Sequence, residues 1–116
     1  MNPAMHQLIE ALRQFAAERD WDRYHSPKNL AMALSVEVAE LVEPFQWLTQ
    51  NQSRWLPPEK QRLVRDEIGD VLIYLLMLAD KLEIDPLEAA FDKLGKNRRS
   101  YPADRVRGKA AKYSDY

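Results

Sequence analysis

The chain has 116 residues, enough for one hydrophobic core and too few for two, and no cysteine, which excludes disulfides, thiolate metal sites and cysteine nucleophiles. Its 17 basic and 18 acidic side chains nearly cancel, which argues against binding to a nucleic acid polymer or an anionic membrane through bulk charge, so any anion site must be local. No apolar run approaches the roughly 18 residues of a membrane span. The polar N-terminus, with Glu10 and Arg13 inside a periodic segment, lacks a signal-peptide core, so the expected location is the cytoplasm.

Met5, Leu8, Ile9, Leu12, Phe15 and Ala16 recur at three- and four-residue spacing and predict an amphipathic helix over 4–19. Trp21 to Pro27 reads as a loop, with Pro27 holding Ser26 extended. A second helix is expected over 28–48, bent at Pro44, whose ring removes the hydrogen bond to the Glu40 carbonyl. Residues 49–57 are polar and end in Pro57-Pro58, a break. The third helix, 58–82, starts on proline with Glu59 near its positive end, and its nearly continuous apolar second half predicts the most buried helix. Asp85 caps a fourth helix over 86–99, with Leu87, Ala90, Phe91 and Leu94 on one side; residues 100–116 form a basic, aromatic tail. No segment alternates as a strand. The expected fold is all-α, a helical bundle of about four main helices in a single domain over 1–116.

The second and third helices each carry two acids three apart, Glu37 with Glu40 and Glu67 with Asp70, which places each pair on a shared helix face. Glu37 has Ala33, Leu34 and Leu41 at helical spacing, and Glu67 has Leu63, Val64, Val71 and Tyr74, so both lie within apolar stripes. A bare buried carboxylate costs about several kcal/mol, comparable with the net stability of a small domain. One such pair beside Arg65 or Lys60 reads more simply as a solvated face with weak ion pairs. Two pairs, both inside apolar stripes, reverse that balance and point to carboxylates gathered around one or two hard cations, for which oxygen ligation suits Mg²⁺ or Mn²⁺.

Other residues divide between structure and binding. Phe15 and Phe91 read as core. Trp21, in the loop, and Trp47, near the bend, read equally as core or as platforms on which a flat base stacks. His25 fits either a substrate contact or a turn cap, and with no second histidine beside it a zinc site is disfavoured. Lys28, Lys93, Arg98, Arg99, Lys109 and Lys112, with Asn97 as a neutral donor, are candidates for holding phosphate, although each alone reads more simply as a surface cation. Lys93 and Asn97, four apart on one face, are the favoured pair.

Phe15-Ala16-Ala17-Glu18-Arg19-Asp20-Trp21, His25-Ser26-Pro27-Lys28-Asn29-Leu30, Glu37-Val38-Ala39-Glu40-Leu41, Phe45-Gln46-Trp47, Glu67-Ile68-Gly69-Asp70 and Asn97-Arg98-Arg99-Ser100-Tyr101-Pro102 occur in this order. Together they resemble the MazG-like, all-α nucleoside triphosphate pyrophosphohydrolases, in particular the dCTP pyrophosphatase branch. The pattern departs at Leu12, where vertebrate members carry a histidine, and at Pro44. The resemblance implies Mg²⁺-dependent cleavage between the α and β phosphates, with Glu37, Glu40, Glu67 and Asp70 as metal ligands. It implies a base and sugar pocket drawing on Trp21, Trp47 and Tyr74, and a homo-oligomer, dimer or tetramer. Within the cluster Glu37, set deepest in its stripe, is the expected general base. The alternatives are a related enzyme for dUTP or for oxidised or methylated nucleotides, and a helical assembly module that uses the metal only for structure. A di-iron bundle is disfavoured, because neither His6 nor His25 lies three residues after an acid.

Overall fold

The computed structural model describes residues 1–110, which form two compact units, Met1–Ile84 and a second that begins at Asp85. The first unit contains α1 (Pro3–Glu18), a 3-10 turn (Asp22–Tyr24), α2 (Pro27–Val42), the short α3 (Gln50–Arg54) and α4 (Pro58–Lys81). Proline opens α1, α2 and α4 at a position where its missing N–H is no loss. The Asn2 carboxamide oxygen accepts from the N–H groups of Ala4 and Met5, and the Ser26 hydroxyl accepts from Asn29 at 3.2 Å.

Helices α1 and α4 stop in the same way. Asp20 (φ 55°) and Glu83 (φ 56°) adopt the left-handed conformation, and the next N–H reaches five residues back, Trp21 to the Ala16 carbonyl at 3.0 Å and Ile84 to the Ala79 carbonyl at 2.9 Å. The first reversal sends Trp21 back over the end of α1 and sets up the candidate site.

Helix α4 packs along α2 and against α1. The core of this unit comprises Ile9 and Ala16 from α1, Leu30 from α2, and Val64, Leu76 and Ala79 from α4, with Leu30 and Leu76 each 1% exposed. Every regular element among the described residues is helical, as the periodicity predicts. No described helix is long and apolar enough to cross a membrane.

Several expectations need correction. Helix α2 ends at Val42 rather than continuing through a bend to 48: Pro44 has no N–H for the Glu40 carbonyl, and the chain leaves the helix in turns, with Phe45 N–H on Val42 and Leu48 N–H on Phe45, both at 2.9 Å. The polar break holds α3, nucleated by a reciprocal cap in which Gln52 N–H donates to the Thr49 hydroxyl (3.1 Å) and Thr49 N–H to the Gln52 side-chain oxygen (2.9 Å). Helix α4 contributes more buried residues than any other described helix, as expected, although Leu72 and Leu75 in its apolar half are exposed. Phe15 and Phe91 are exposed rather than core residues.

In the second unit, α5 (Pro86–Ser100) starts on Asp85, whose carboxylate accepts from Leu87 and Glu88 at 3.0 and 3.2 Å. A four-residue helix, α6 (Ala103–Val106), follows within the expected tail.

Candidate active site

The lengthwise packing of α2 on α4 brings the two acidic faces together. One carboxylate oxygen from each of Glu37, Glu67 and Asp70 lies within 4.8 Å of the others, a group able to hold a metal ion. Glu40 lies beside this group rather than within it, close enough for its charge to act on both Glu37 and Glu67. The Oε2 atoms of Glu37 and Glu67 are shut off from solvent and have no hydrogen-bond partner. Among the described residues, no ion pair reaches any of the four acids.

The electrostatic consequence follows from this geometry. Burial, then the hydrogen bond and negative charge of Glu40, then Asp70 and Glu67, push the Glu37 carboxyl above its ordinary pKa. Burial, then the charges of Glu40 and Asp70, do the same to Glu67. Crowded carboxylates with orphaned buried oxygens and no neighbouring cation are the donor set a hard divalent ion takes, so the residues present fit such an ion.

Beside the cluster opens a largely apolar cleft of about 370 Å³, within the range of small-molecule sites. Its walls are Ala11, Leu12 and Phe15 from α1, Trp21 and His25 from the connection, and Ile73, Tyr74 and Met77 from α4, and Asp70 belongs to the same lining. Trp21 meets Phe15 edge to face, with ring centres 5.6 Å apart and an interplanar angle of 72°. Tyr74 bridges the two regions: burial and the charges of Glu37, Asp70 and Glu40 raise its hydroxyl pKa.

Of the aromatic candidates, then, Trp21, His25 and Tyr74 line one cleft together with Asp70. Trp47 does not line it; it stands 87% exposed in the turn after α2. Among the basic candidates Lys28 lies exposed in the first turn of α2. Within the second unit Lys93 and Asn97 line an open concavity with Lys96, Arg99, Ser100 and Tyr101, whereas Arg98 is not in that lining. Lys109 is exposed beyond α6, and Lys112 lies outside the described residues.

Sequence reasoning missed Phe15, Ile73 and Met77 as cleft walls and Lys96 as a member of the basic concavity. The signal for two of them is the run Asp70, Ile73, Tyr74, Met77, which is one helix face at spacings of three, one and three. Phe15 carried no such signal, because its stripe on α1 serves core and cleft alike.

Residues 32–116, which include all four acids, match the sequence model of the MazG-like family. The chain belongs to the MazG-like family. Proteins named dCTP pyrophosphatase 1 from Mus musculus and Homo sapiens are 40% and 41% identical to this MazG-like chain, in alignments covering 97% of it and 68% of each relative. A crystal structure of a pyrophosphatase from Archaeoglobus fulgidus aligns at a TM-score of 0.82 and 46% identity, covering 88% of this chain and 95% of that one. MazG-like membership and an all-α pyrophosphatase fold thus agree with the resemblance read from the sequence motifs.

Proposed function

We propose that this MazG-like protein hydrolyses nucleoside triphosphates at the α–β phosphoanhydride, dCTP or a modified dCTP foremost, giving the monophosphate and pyrophosphate and so clearing the nucleotide pool. The observation that carries the reading is the convergence of Glu37, Glu67 and Asp70, with orphaned oxygens on Glu37 and Glu67, and Asp70 shared with an apolar, aromatic-walled cleft. The names of the mammalian relatives supply the substrate class.

Glu37, Glu40, Glu67 and Asp70 would hold Mg²⁺, or Mn²⁺ in its place. The bound ion supplies neutralisation of phosphate charge and an acidified water. Glu37 would also serve as general base, its unpartnered Oε2 taking a proton from the attacking water. Trp21, His25 and Tyr74 receive the base and sugar, and a base stacked on Trp21 gains about 1–3 kcal/mol. Trp47 is assigned to the same task from its exposed turn. Lys28, Lys93, Asn97, Arg98, Lys109 and Lys112 are the phosphate-holding set, with Lys93 and Asn97 first, since they share a basic concavity.

The family match runs across both compact units, which supports reading 1–116 as one MazG-like domain with a C-terminal tail. Ile68, Leu72 and Leu75 repeat on α4 at spacings of four and three and are 55%, 44% and 42% exposed, an apolar stripe that supports self-association as a dimer or tetramer. A cytoplasmic location fits a nucleotide substrate.

The test is product analysis with each common nucleoside triphosphate, dUTP and 5-modified dCTP, in the presence of Mg²⁺, for the wild type and for Glu40→Gln and Glu67→Gln. Monophosphate plus pyrophosphate, lost in both variants, is the expected result, and the rates rank the bases. Nucleoside diphosphate and inorganic phosphate as products, or full turnover by both variants, would refute the assignment.

A further inference from the structure

The cleft has a charged backing. Leu12, His25 and Met77 line the cleft on one side and, on the other, a small cavity of about 30 Å³ whose charged lining is Arg13, Asp22, Asp80 and Lys81. These four side chains form two ion pairs that cross onto the last turns of α4. Arg13 Nε donates to Asp80 at 2.9 Å from α1, and Lys81 Nζ donates to Asp22 in the 3-10 turn.

The second pair is the more telling, because Asp22 is flanked in the chain by two cleft walls, Trp21 and His25. The turn's shape comes from its own backbone, with Tyr24 N–H on Trp21 at 2.9 Å and His25 N–H on Asp22 at 3.0 Å. Asn29 ties Tyr24 to α2 at 3.0 Å. None of these bonds fixes the turn against α4, which carries Ile73 and Tyr74 on the same cleft. Among the described residues, the side-chain hydrogen bond that does so is Lys81 to Asp22, and it holds the Asp22 carboxyl below the usual range. Neither Asp22 nor Lys81 lines the cleft itself.

We propose that Asp22 and Lys81 are positioning residues: their ion pair pins the Trp21-to-His25 turn onto α4 and so presets the cleft wall that receives the base. This rests on the reading of the cleft as a nucleotide site. A wall already in place need not be ordered when ligand arrives, so the pair acts on substrate affinity rather than on the chemical step. Half-exposed ion pairs contribute little to global stability, so loss of this one leaves the fold in place.

The experiment compares Asp22→Asn, Lys81→Met and the charge exchange D22K/K81D with the wild type, by steady-state kinetics on the preferred nucleotide with Mg²⁺ and by amide hydrogen exchange at Tyr24 and His25 without nucleotide. Each single variant should raise KM by about threefold to fivefold with kcat within about twofold. Both amides should exchange about threefold to fivefold faster. The exchanged pair should recover about half of each loss, which a merely disturbed surface would not. Arg23→Met is the control, since Arg23 pairs at 3.3 Å with Asp20, just past the end of α1, rather than with α4, and it should leave KM unchanged. Unchanged exchange in both single variants overturns the clamp, whatever the protein hydrolyses. Faster exchange with unchanged KM overturns its service to the cleft. A wild type that turns over no nucleotide sinks the proposed activity instead, and the exchange result then decides by itself whether the pair clamps the turn.

Discussion

Two groups of acids on helix α4 meet opposite surroundings. Asp80, near its C-terminal end, accepts from Arg13 Nε at 2.9 Å and also from Nη2, and that hydrogen bond holds its carboxyl below the usual range. Glu67 and Asp70, nearer its middle, have no ion-pair partner among the described residues and sit among further acids, so that burial and like charge push Glu67 upward. With 17 basic side chains available, the chain pairs Asp80 and leaves Glu67 and Asp70 bare. Unpaired, crowded carboxylates weaken a fold. Their presence on the packed α2 and α4 faces fits the proposed cation from outside the chain, whereas the paired acid fits a scaffold role.

The largest effect should come from removing a proton acceptor out of the bare cluster. Glu37→Gln keeps the shape and loses the base, and the rate of monophosphate release at saturating nucleotide should fall by about 10²- to 10⁴-fold. Full turnover with metal present would exclude Glu37 as the base. A second variant separates stability from activity. Because the folded-state pKa of Glu67 lies above its ordinary 4.5, the folded protein binds more protons than the unfolded chain, and Glu67 erodes stability as pH rises from 4.5 through that raised value. Glu67→Gln should therefore unfold at higher urea than the wild type at pH 7 without metal, while being inactive. Mg²⁺ at one hundred times its Kd should stabilise the wild type by about 2.7 kcal/mol and the variant by clearly less. A metal-free variant weaker than the wild type would break the contrast between the two regions.

The bare cluster is legible in the sequence, because Glu37 and Glu67 occupy positions where helical spacing demands apolar residues. The main helices were legible for a similar reason, through stripes at three- and four-residue spacing bounded by Ser26-Pro27, Pro57-Pro58 and Asp85-Pro86. What escaped was decided by local competition or by distance. Pro44 terminates α2 instead of bending it, and the Thr49 and Gln52 cap draws a helix out of a segment whose composition reads as loop. Phe15 satisfies the periodicity of a core residue, yet it stands at the cleft, because Trp21 folds back onto it after the left-handed Asp20. Arg13 and Asp80 are 67 positions apart, and nothing in either local pattern announces the other.

That long-range pair supplies the smallest and sharpest test. The Arg13 hydrogen bond lowers the Asp80 pKa against the opposing effect of burial, so its stabilisation is fully present above the ordinary 3.8 and is lost as pH falls below that value through the depressed one. Asp80→Asn should thus be less stable than the wild type at pH 7, by about 1 kcal/mol or less since Arg13 is half exposed, and the gap should close on acidification below pH 3.8. Glu67→Gln predicts the reverse sign, with a gap in favour of the variant that opens as pH rises from 4.5. Urea midpoints of both variants at pH 3 and pH 7 measure the two together. If Asp80→Asn matches the wild type at pH 7, Asp80 is not scaffold, and the division of α4 into a neutralised end and a bare middle no longer separates structure from function.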